Sequence, residues 1–393
     1  MANDFTFFSP TKVVFGKGTE AQTGREIREF GGTRALVVYG SDRVIRTGLM
    51  GRVLDSLDRE GIGHVELGGV VPNPHLDLVY EGIRLGLAEH VDFLLAIGGG
   101  SPIDTAKAIA YGIAEPEKDV WEIFDAGRVP EACLPIGCVL TIAAAGSELS
   151  NSSVITNEKK QKRGSNHDIC RPKFTIMNPE LTMSLPDWQT QNGCVDIQMH
   201  TMERYFTSKG NMKITDSFAE GLMKTVMEQA LVLHQDPANY DARAEVMWAG
   251  SLAHNGITGC GNGGNDFVTH RLGQELGGLY DVTHGASLSA VWGSWARYVY
   301  KNCLDRFVLF AVRVHGITPQ ATEEETALRG IEAQERFYRE IGMPTSIREL
   351  DIDPTEEEIR WMAKDGVRKP GGSLGAAMTV YEEDLYRIFK AAL

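Results

Sequence analysis

Two groups of residues in this chain have the types and spacing to do chemistry. The first is the run Gly98-Gly99-Gly100-Ser101-Pro102-Ile103-Asp104-Thr105-Ala106-Lys107. It follows an apolar run at 92–97 and opens a helical pattern, with Pro102 suited to a first helical turn. Free amides at a helix start, together with the helix dipole, attract an anion. Glycines there let a diphosphate reach the backbone with no Cβ in the way. Three successive glycines exceed what a bare turn requires, although a tight strand-to-helix turn with no ligand is the alternative. Neither the GxGxxG nor the GxxxxGK[ST] pattern fits the run. A weaker cofactor signal is the small-residue stretch 141–148 (TIAAAGSE), where a flat ring or ribose has room.

The second group begins with Asp196 and His200, four residues apart in a helical segment, so both project from one face and can share an ion. His270 and His284 follow, with Gly277-Gly278 between them reading as a turn joining two converging helices. One carboxylate and three imidazoles leave a divalent ion with net positive charge. Such mixed ligation suits zinc or ferrous iron and keeps a position open for substrate. Spacing alone does not single out these four. Of the ten histidines, His64, His75, His90, His167, His234, His254 and His315 fit surface or core roles equally well.

The elements that must position these groups differ between the two halves. Apolar runs at 34–39, 64–70, 92–97 and 136–142 alternate with helical patterns, among them 76–89, which implies a parallel sheet covered on both faces. After Pro186, long amphipathic helices take over at 191–208, 214–233, 242–258, 327–341 and 355–365, with a Gly/Asn-rich break at 259–265. The expected fold is a Rossmann-like α/β domain over 1–187 followed by an all-helical domain over 188–393. The basic cluster Lys159-Lys160-Gln161-Lys162-Arg163 reads as a solvated loop.

A length of 393 residues exceeds what one core supports, in keeping with two domains. The formal net charge of −14 argues against a nucleic-acid partner. Six cysteines with no C-x-x-C pair are too few for a disulfide scaffold. No basic start with a following apolar run marks a signal peptide, and no apolar run is long enough to span a membrane. A cytoplasmic location is the expectation.

On four passages the chain resembles the iron-containing (group III) alcohol dehydrogenases, in particular their butanol-dehydrogenase-like branch. The passages are GGGSPIDTAK from Gly98, Gly146-Ser147-Glu148, VDIQMH from Val195 to His200, and His270 through His284-Gly285. Weaker echoes are Phe15-Gly16-Lys17-Gly18, Pro72-Asn73-Pro74 and the stretch from Ile341 to Thr345. The resemblance implies a dinucleotide-binding α/β domain and a helical domain, with the metal in the cleft between them. It implies Asp196, His200, His270 and His284 as metal ligands acting in catalysis through Fe2+ or Zn2+. It also implies Gly99, Gly100 and Ser101 as the pyrophosphate loop, with Asn73, Asp104, Thr141 and Lys162 near the cofactor. The activity implied is hydride transfer between NAD(P)(H) and a small primary alcohol or aldehyde by a homodimer. A glycerol-type polyol dehydrogenase, a dehydroquinate-synthase-like lyase and a non-catalytic metal- and nucleotide-binding regulator are the rival readings.

Three departures from the family pattern stand out. Gln274 replaces a frequent histidine, so no proton relay runs through that position. Ala145 replaces the threonine before Gly-Ser-Glu, and Asn178 replaces a common aspartate. At the end of the early strand, an acidic residue would bind a ribose hydroxyl and repel a 2′-phosphate. Gly40 stands there, followed by Ser41, Asp42 and Arg43; Ser41 and Arg43 favour a phosphate and Asp42 opposes it, and on balance NADPH is expected to be preferred over NADH. Apolar residues near His284, among them Leu288, Trp292 and Trp295, suggest a small substrate of low polarity.

Overall fold

A computed structural model describes residues 3–208, 210, 212–369 and 371–393. It divides into two compact units, Ser9–Ser184 and residues 3–8 with Leu185–Leu393. The architecture is the expected one, α/β first and helical second.

The α/β unit runs β1 (Lys12–Phe15), α1 (Thr23–Glu29), β2 (Arg34–Tyr39), α2 (Arg43–Arg46), α3 (Leu49–Arg59), β3 (Gly63–Leu67), α4 (Leu76–Ala88), β4 (Phe93–Gly98), α5 (Gly100–Ala114), α6 (Trp121–Phe124), β5 (Ile136–Leu140), β6 (Ser152–Thr156), β7 (Lys162–Asn166) and β8 (Phe174–Met177). Six strands form a wholly parallel sheet in the order β1-β8-β5-β4-β2-β3. Side chains alternate between its faces. Ala35, Val37, Leu95, Ile97, Val139 and Ile176 point one way, into a core closed by Val53 and Leu57 of α3. Their neighbours Leu36, Val38, Leu94 and Ala96 are equally buried on the other side, where α5 packs on β4 and β2. Burial on both faces is why the strands read as unbroken apolar runs.

One reading of this unit needs correction. The solvated loop at 159–163 is in part a strand: β6 and β7 form an antiparallel hairpin, and Lys162 and Arg163 on β7 are buried. Adjacent on the strand, the two side chains point to opposite faces and each finds a partner, Lys162 at Asn73 and Arg163 at Asp125, while Lys159 and Lys160 at the hairpin tip stay exposed. The short β1 and β8 are additions that the apolar pattern does not mark.

The helical unit contains α7 (Asp187–Tyr205), α8 (Lys213–Gln235), α9 (Tyr240–His254), α10 (Val268–Tyr280), α11 (His284–Val299), α12 (Leu304–Leu309), α13 (Glu323–Glu340), α14 (Glu356–Gly366) and α15 (Glu382–Ala391). Helix α7 is its axis, buried continuously from Thr190 to Tyr205 and packed against α8, α9, α10 and α11. Gly277 and Gly278 lie inside α10, not in a turn. The break comes at Asp281, whose φ of 56° ends the helix in the left-handed region. Leu288, Trp292 and Trp295 are fully buried, with Trp292 edge-on to Tyr338 and Trp295 against Phe206. They build the core, so they carry no argument about substrate polarity.

Candidate metal centre and phosphate loop

A helix buried on every side must partner each polar group it carries. Helix α7 carries Asn192, Asp196, His200 and Glu203 along one stripe, at i, i+4, i+8 and i+11. Asn192 and Glu203, at the two ends of this stripe, dock the two helices that bring in the other histidines.

Asn192 Oδ1 accepts the Ala286 amide at 2.7 Å, in the first turn of α11. A Cβ on Gly285 would stand 2.2 Å from the Asn192 carbonyl oxygen, so the close crossing of α11 and α7 requires glycine there. This contact sets His284, the first residue of α11, beside Asp196. Glu203 acts likewise on α10, which starts without a side-chain cap of its own. One Glu203 oxygen accepts the His270 amide at 3.0 Å, and the other is hydrogen-bonded to His270 Nδ1. A carboxylate at a helix N-terminus is favourable in its own right. Asp266 fixes the same turn by accepting the amides of Val268, Ala376 and Ala377. Burial, together with the Glu203 charge, pushes the Asp266 carboxyl up to about 7.

The outcome is a convergence on one atom. Asp196 Oδ1 lies 3.4 Å from His200 Nε2, 3.4 Å from His270 Nε2 and 3.7 Å from His284 Nε2. Ligand atoms of Asp196, His270 and His284 are all within 4.8 Å of one another. Asp196 Oδ1 and His270 Nε2 are buried with no hydrogen-bond partner. Orphaned donor atoms so arranged fit a shared cation, because ligands about 2.1 Å from a tetrahedral metal stand about 3.4 Å apart. The donor set therefore fits iron or zinc. Side-chain exposure is 5–6% at Asp196, His200 and His270 but 28% at His284, so solvent reaches the cluster from the His284 side.

The electrostatics follow the contacts. Burial raises the Asp196 carboxyl, but the imidazoles of His284, His270 and His254 outweigh it and hold the group below its usual range. Burial, then the neighbouring His254 and His270, drives His200 far below the ordinary histidine value. Burial also opposes protonation of His270, yet Glu203 and Asp196 prevail and lift it to about 9.

Sequence reasoning missed Asn192, Glu203 and His254. The ring of His254 stacks on that of His200, with centroids 3.9 Å apart and planes at 18°. Gln274 accepts from Arg368 at 3.3 Å.

In the α/β unit, Gly99 caps α5 and a Cβ there would lie 2.1 Å from Ile142 Cγ2. The methyl of Ala145 would contact a Cβ on Gly100 at 3.5 Å, which places the 141–147 stretch against the glycine loop. Ser101 lies in the first turn of α5, and Thr141 is tied to the loop by its backbone amide, which donates a hydrogen bond to the Gly98 carbonyl at 3.0 Å. Lys162 and Asn73 come together, the ammonium donating to Asn73 Oδ1 at 2.8 Å. Asp104 instead accepts from Ser147 Oγ and the Val154 amide. Gly40 directly follows β2, where a Cβ would meet the Val70 carbonyl oxygen at 2.9 Å, and Ser41 is exposed beside it. Arg43 donates to the Leu181 carbonyl and to Ser184. Asn178 caps a short helix through the Glu180 amide and donates to Glu20 at 3.0 Å.

A parallel sheet with a glycine-opened helix, followed by helices that bring an aspartate and three histidines together, fits the class of metal-dependent oxidoreductases that use a dinucleotide. The comparisons with known proteins agree. The "Iron-containing alcohol dehydrogenase" signature matches residues 10–179, and the "Fe-containing alcohol dehydrogenase family, C-terminal" signature matches 190–393. The chain is 36% identical over 389 residues to NADH-dependent butanol dehydrogenase A of Clostridium acetobutylicum, covering 98% of each. It is 35% identical to the NADPH-dependent aldehyde reductase YqhD of Escherichia coli, over 89% of this chain and 90% of that one. The crystal structure of NADH-dependent butanol dehydrogenase A from Thermotoga maritima superposes with a TM-score of 0.95 at 38% identity, covering 100% of this chain and 99% of that one. The chain belongs to the iron-containing alcohol dehydrogenase family. Its reaction class is alcohol and aldehyde oxidoreduction with a nicotinamide cofactor.

Proposed function

We propose that Asp196, His200, His270 and His284 hold a divalent iron or zinc ion at which a small primary alcohol is oxidised or its aldehyde reduced. In this reading the α/β and helical halves, meeting near residue 187, are the dinucleotide-binding and metal-binding domains. The observation that carries it is the approach of three imidazole nitrogens to one orphaned carboxylate oxygen. A divalent cation bound there supplies Lewis acidity toward the alcohol or carbonyl oxygen. Glu203 and Asn192 keep the ligands in place before substrate arrives, and the exposed side of His284 admits it. The amides of Gly99, Gly100 and Ser101 hold the cofactor diphosphate at the start of α5, and Asn73, Thr141 and Lys162 border the remainder of the cofactor. Gln274 has no titratable proton, so water or a cofactor hydroxyl delivers the proton.

The test is NADPH or NADH oxidation with butanal, before and after chelation and metal replacement. Chelation, or His270→Ala with His284→Ala, lowers the rate by about a hundredfold or more, since several kcal/mol of charge stabilisation is removed. Intact turnover in the doubly substituted enzyme overturns the assignment.

For the cofactor, we infer a preference for NADPH. No carboxylate stands at Gly40 to repel a 2′-phosphate. Arg43 and Arg52 both line a cavity of about 400 Å3 that Glu20 and Glu180 also border, with Arg52 paired to Glu20 at 2.9 Å, so Arg43 is the side chain assigned to the phosphate. Relatives of both kinds exist, NADH-dependent in Clostridium and NADPH-dependent in Escherichia coli. A kcat/KM about tenfold higher with NADPH is expected, equivalent to 1.4 kcal/mol, and Arg43→Ala narrows the gap. Comparable values for the two cofactors defeat the inference.

The chain works as a homodimer in the cytoplasm with no nucleic-acid partner, a reading supported by the resemblance, by exposed Phe5, Phe7 and Phe8, and by its negative charge. Among the described residues no helix is long and apolar enough to cross a membrane.

A further inference from the structure

Lys107 is fully buried two turns along α5, in a place where a bare ammonium is costly. Its Nζ donates to the carbonyls of Ser147 at 2.7 Å, Ser152 at 2.7 Å and Ser150 at 3.1 Å. The hydroxyls of Ser147 and Ser150 complete the cage at 3.0 and 3.5 Å. Among the described residues none of these bonds goes to a carboxylate, so the lysine serves as a built-in cation around which residues 147–152 wrap. One turn earlier, Asp104 grips the same segment from the other side. Its Oδ1 accepts Ser147 Oγ at 2.5 Å, its Oδ2 accepts the Val154 amide at 3.0 Å, and its carbonyl accepts Ser153 Oγ at 3.0 Å. The residues just before this segment, Ile142 and Ala145, are the ones that lie against Gly99 and Gly100.

We propose that Asp104 and Lys107 are positioning residues for the cofactor and not contacts to it. Together they clamp residues 147–154 to α5, and so fix the 141–147 stretch over the glycine loop before any cofactor binds. This inference rests on the reading that the glycine loop holds the cofactor diphosphate. The pair is complementary: Asp104 takes donors from the segment and Lys107 takes acceptors, so the segment has one register that satisfies both. A contact residue would be ordered by the ligand, whereas these two are satisfied without it.

The test compares the full-length enzyme with its Lys107→Met variant, which keeps an unbranched side chain one atom shorter and removes every donor. In the cofactor-free protein, amides of residues 145–154 exchange with solvent about tenfold faster or more, as expected when several buried carbonyls lose their partner. The Kd for NADPH, read by fluorescence titration, rises by a similar factor, while bound metal per chain stays at the wild-type level. Should Lys107→Met fail to fold, Ser147→Ala removes one bond of each clamp and shifts both readings in the same direction. A folded variant with unchanged exchange over 145–154, or with unchanged NADPH affinity, overturns the proposal. Ser101→Asp separates the two layers of inference, because a carboxylate there repels a diphosphate. If Ser101→Asp binds NADPH normally, the glycine-loop reading itself is wrong. If only Ser101→Asp weakens binding, the clamp alone is wrong.

Discussion

An imidazole whose far nitrogen is held by a carboxylate is both a better donor and a better oriented one. Glu203 holds His270 this way, and the same carboxylate caps the helix on which His270 stands. Losing it removes orientation and basicity together. Glu203→Gln, which keeps the shape and discards the charge, therefore weakens metal binding by about 10–100-fold, the usual cost of losing such a partner. Competition with a chromogenic chelator measures it, and an affinity equal to wild type removes Glu203 from the metal's support. Asn192 and Glu203 were within reach of the sequence, since with Asp196 and His200 they form a polar stripe at helical spacing. What hid them was the expectation of an amphipathic helix, in which a polar stripe faces water. On α7 that stripe faces other helices. His254 was not legible on the same terms. It ends α9 and meets His200 only through tertiary packing, and nothing local distinguishes it from the other histidines.

At the scale of elements, β2 and β4 were legible because both faces of their central residues are buried, which forces apolar residues at successive positions. The hairpin of β6 and β7 was not, since SSVIT and KRGSN mix polar and apolar types and two of the basic residues are buried with partners. Helix α13 shows another buried polar network. His315 Nε2 pairs with Gln334 Oε1 at 3.0 Å, and Gln334 Nε2 donates to Gln198 Oε1 of α7 at 3.0 Å. Burial, with a smaller push from Arg336, lowers His315 to about 4 against one favourable bond from Gln334. Its folded value thus lies below its unfolded value near 6.5. Between those two values the unfolded chain binds the extra proton, so stability is intact above about pH 6.5 and falls as the pH drops toward 4. Allowing for the partial exposure of the ring, the loss is on the order of 2 kcal/mol. Urea titrations at pH 7.5 and pH 4.5 on wild type and His315→Gln measure the difference. The variant should lose less stability between the two pH values, and an equal loss removes His315 from the acid limb.

For the whole molecule, the two sites draw on different parts of the chain, and this gives ligand binding a spatial signature. The candidate ligands sit on α7, α10 and α11, while the glycine loop and its clamp span α5 and residues 141–154. A ligand that binds only the folded state stabilises it by about 2.7 kcal/mol when present at a hundred times its Kd. Hydrogen exchange locates where that stabilisation is felt. Adding zinc or ferrous ion to the chelated protein should slow exchange first in 187–205, 268–280 and 284–299, and raise the melting temperature. Adding NADPH should slow exchange first in 98–107 and 141–154. The metal response should vanish in the His270→Ala, His284→Ala enzyme while the NADPH response persists, since those ligands belong to the helical unit alone. Metal-induced protection spread evenly over both units, or retained in that variant, would mean that the cation binds somewhere other than the aspartate and its three histidines.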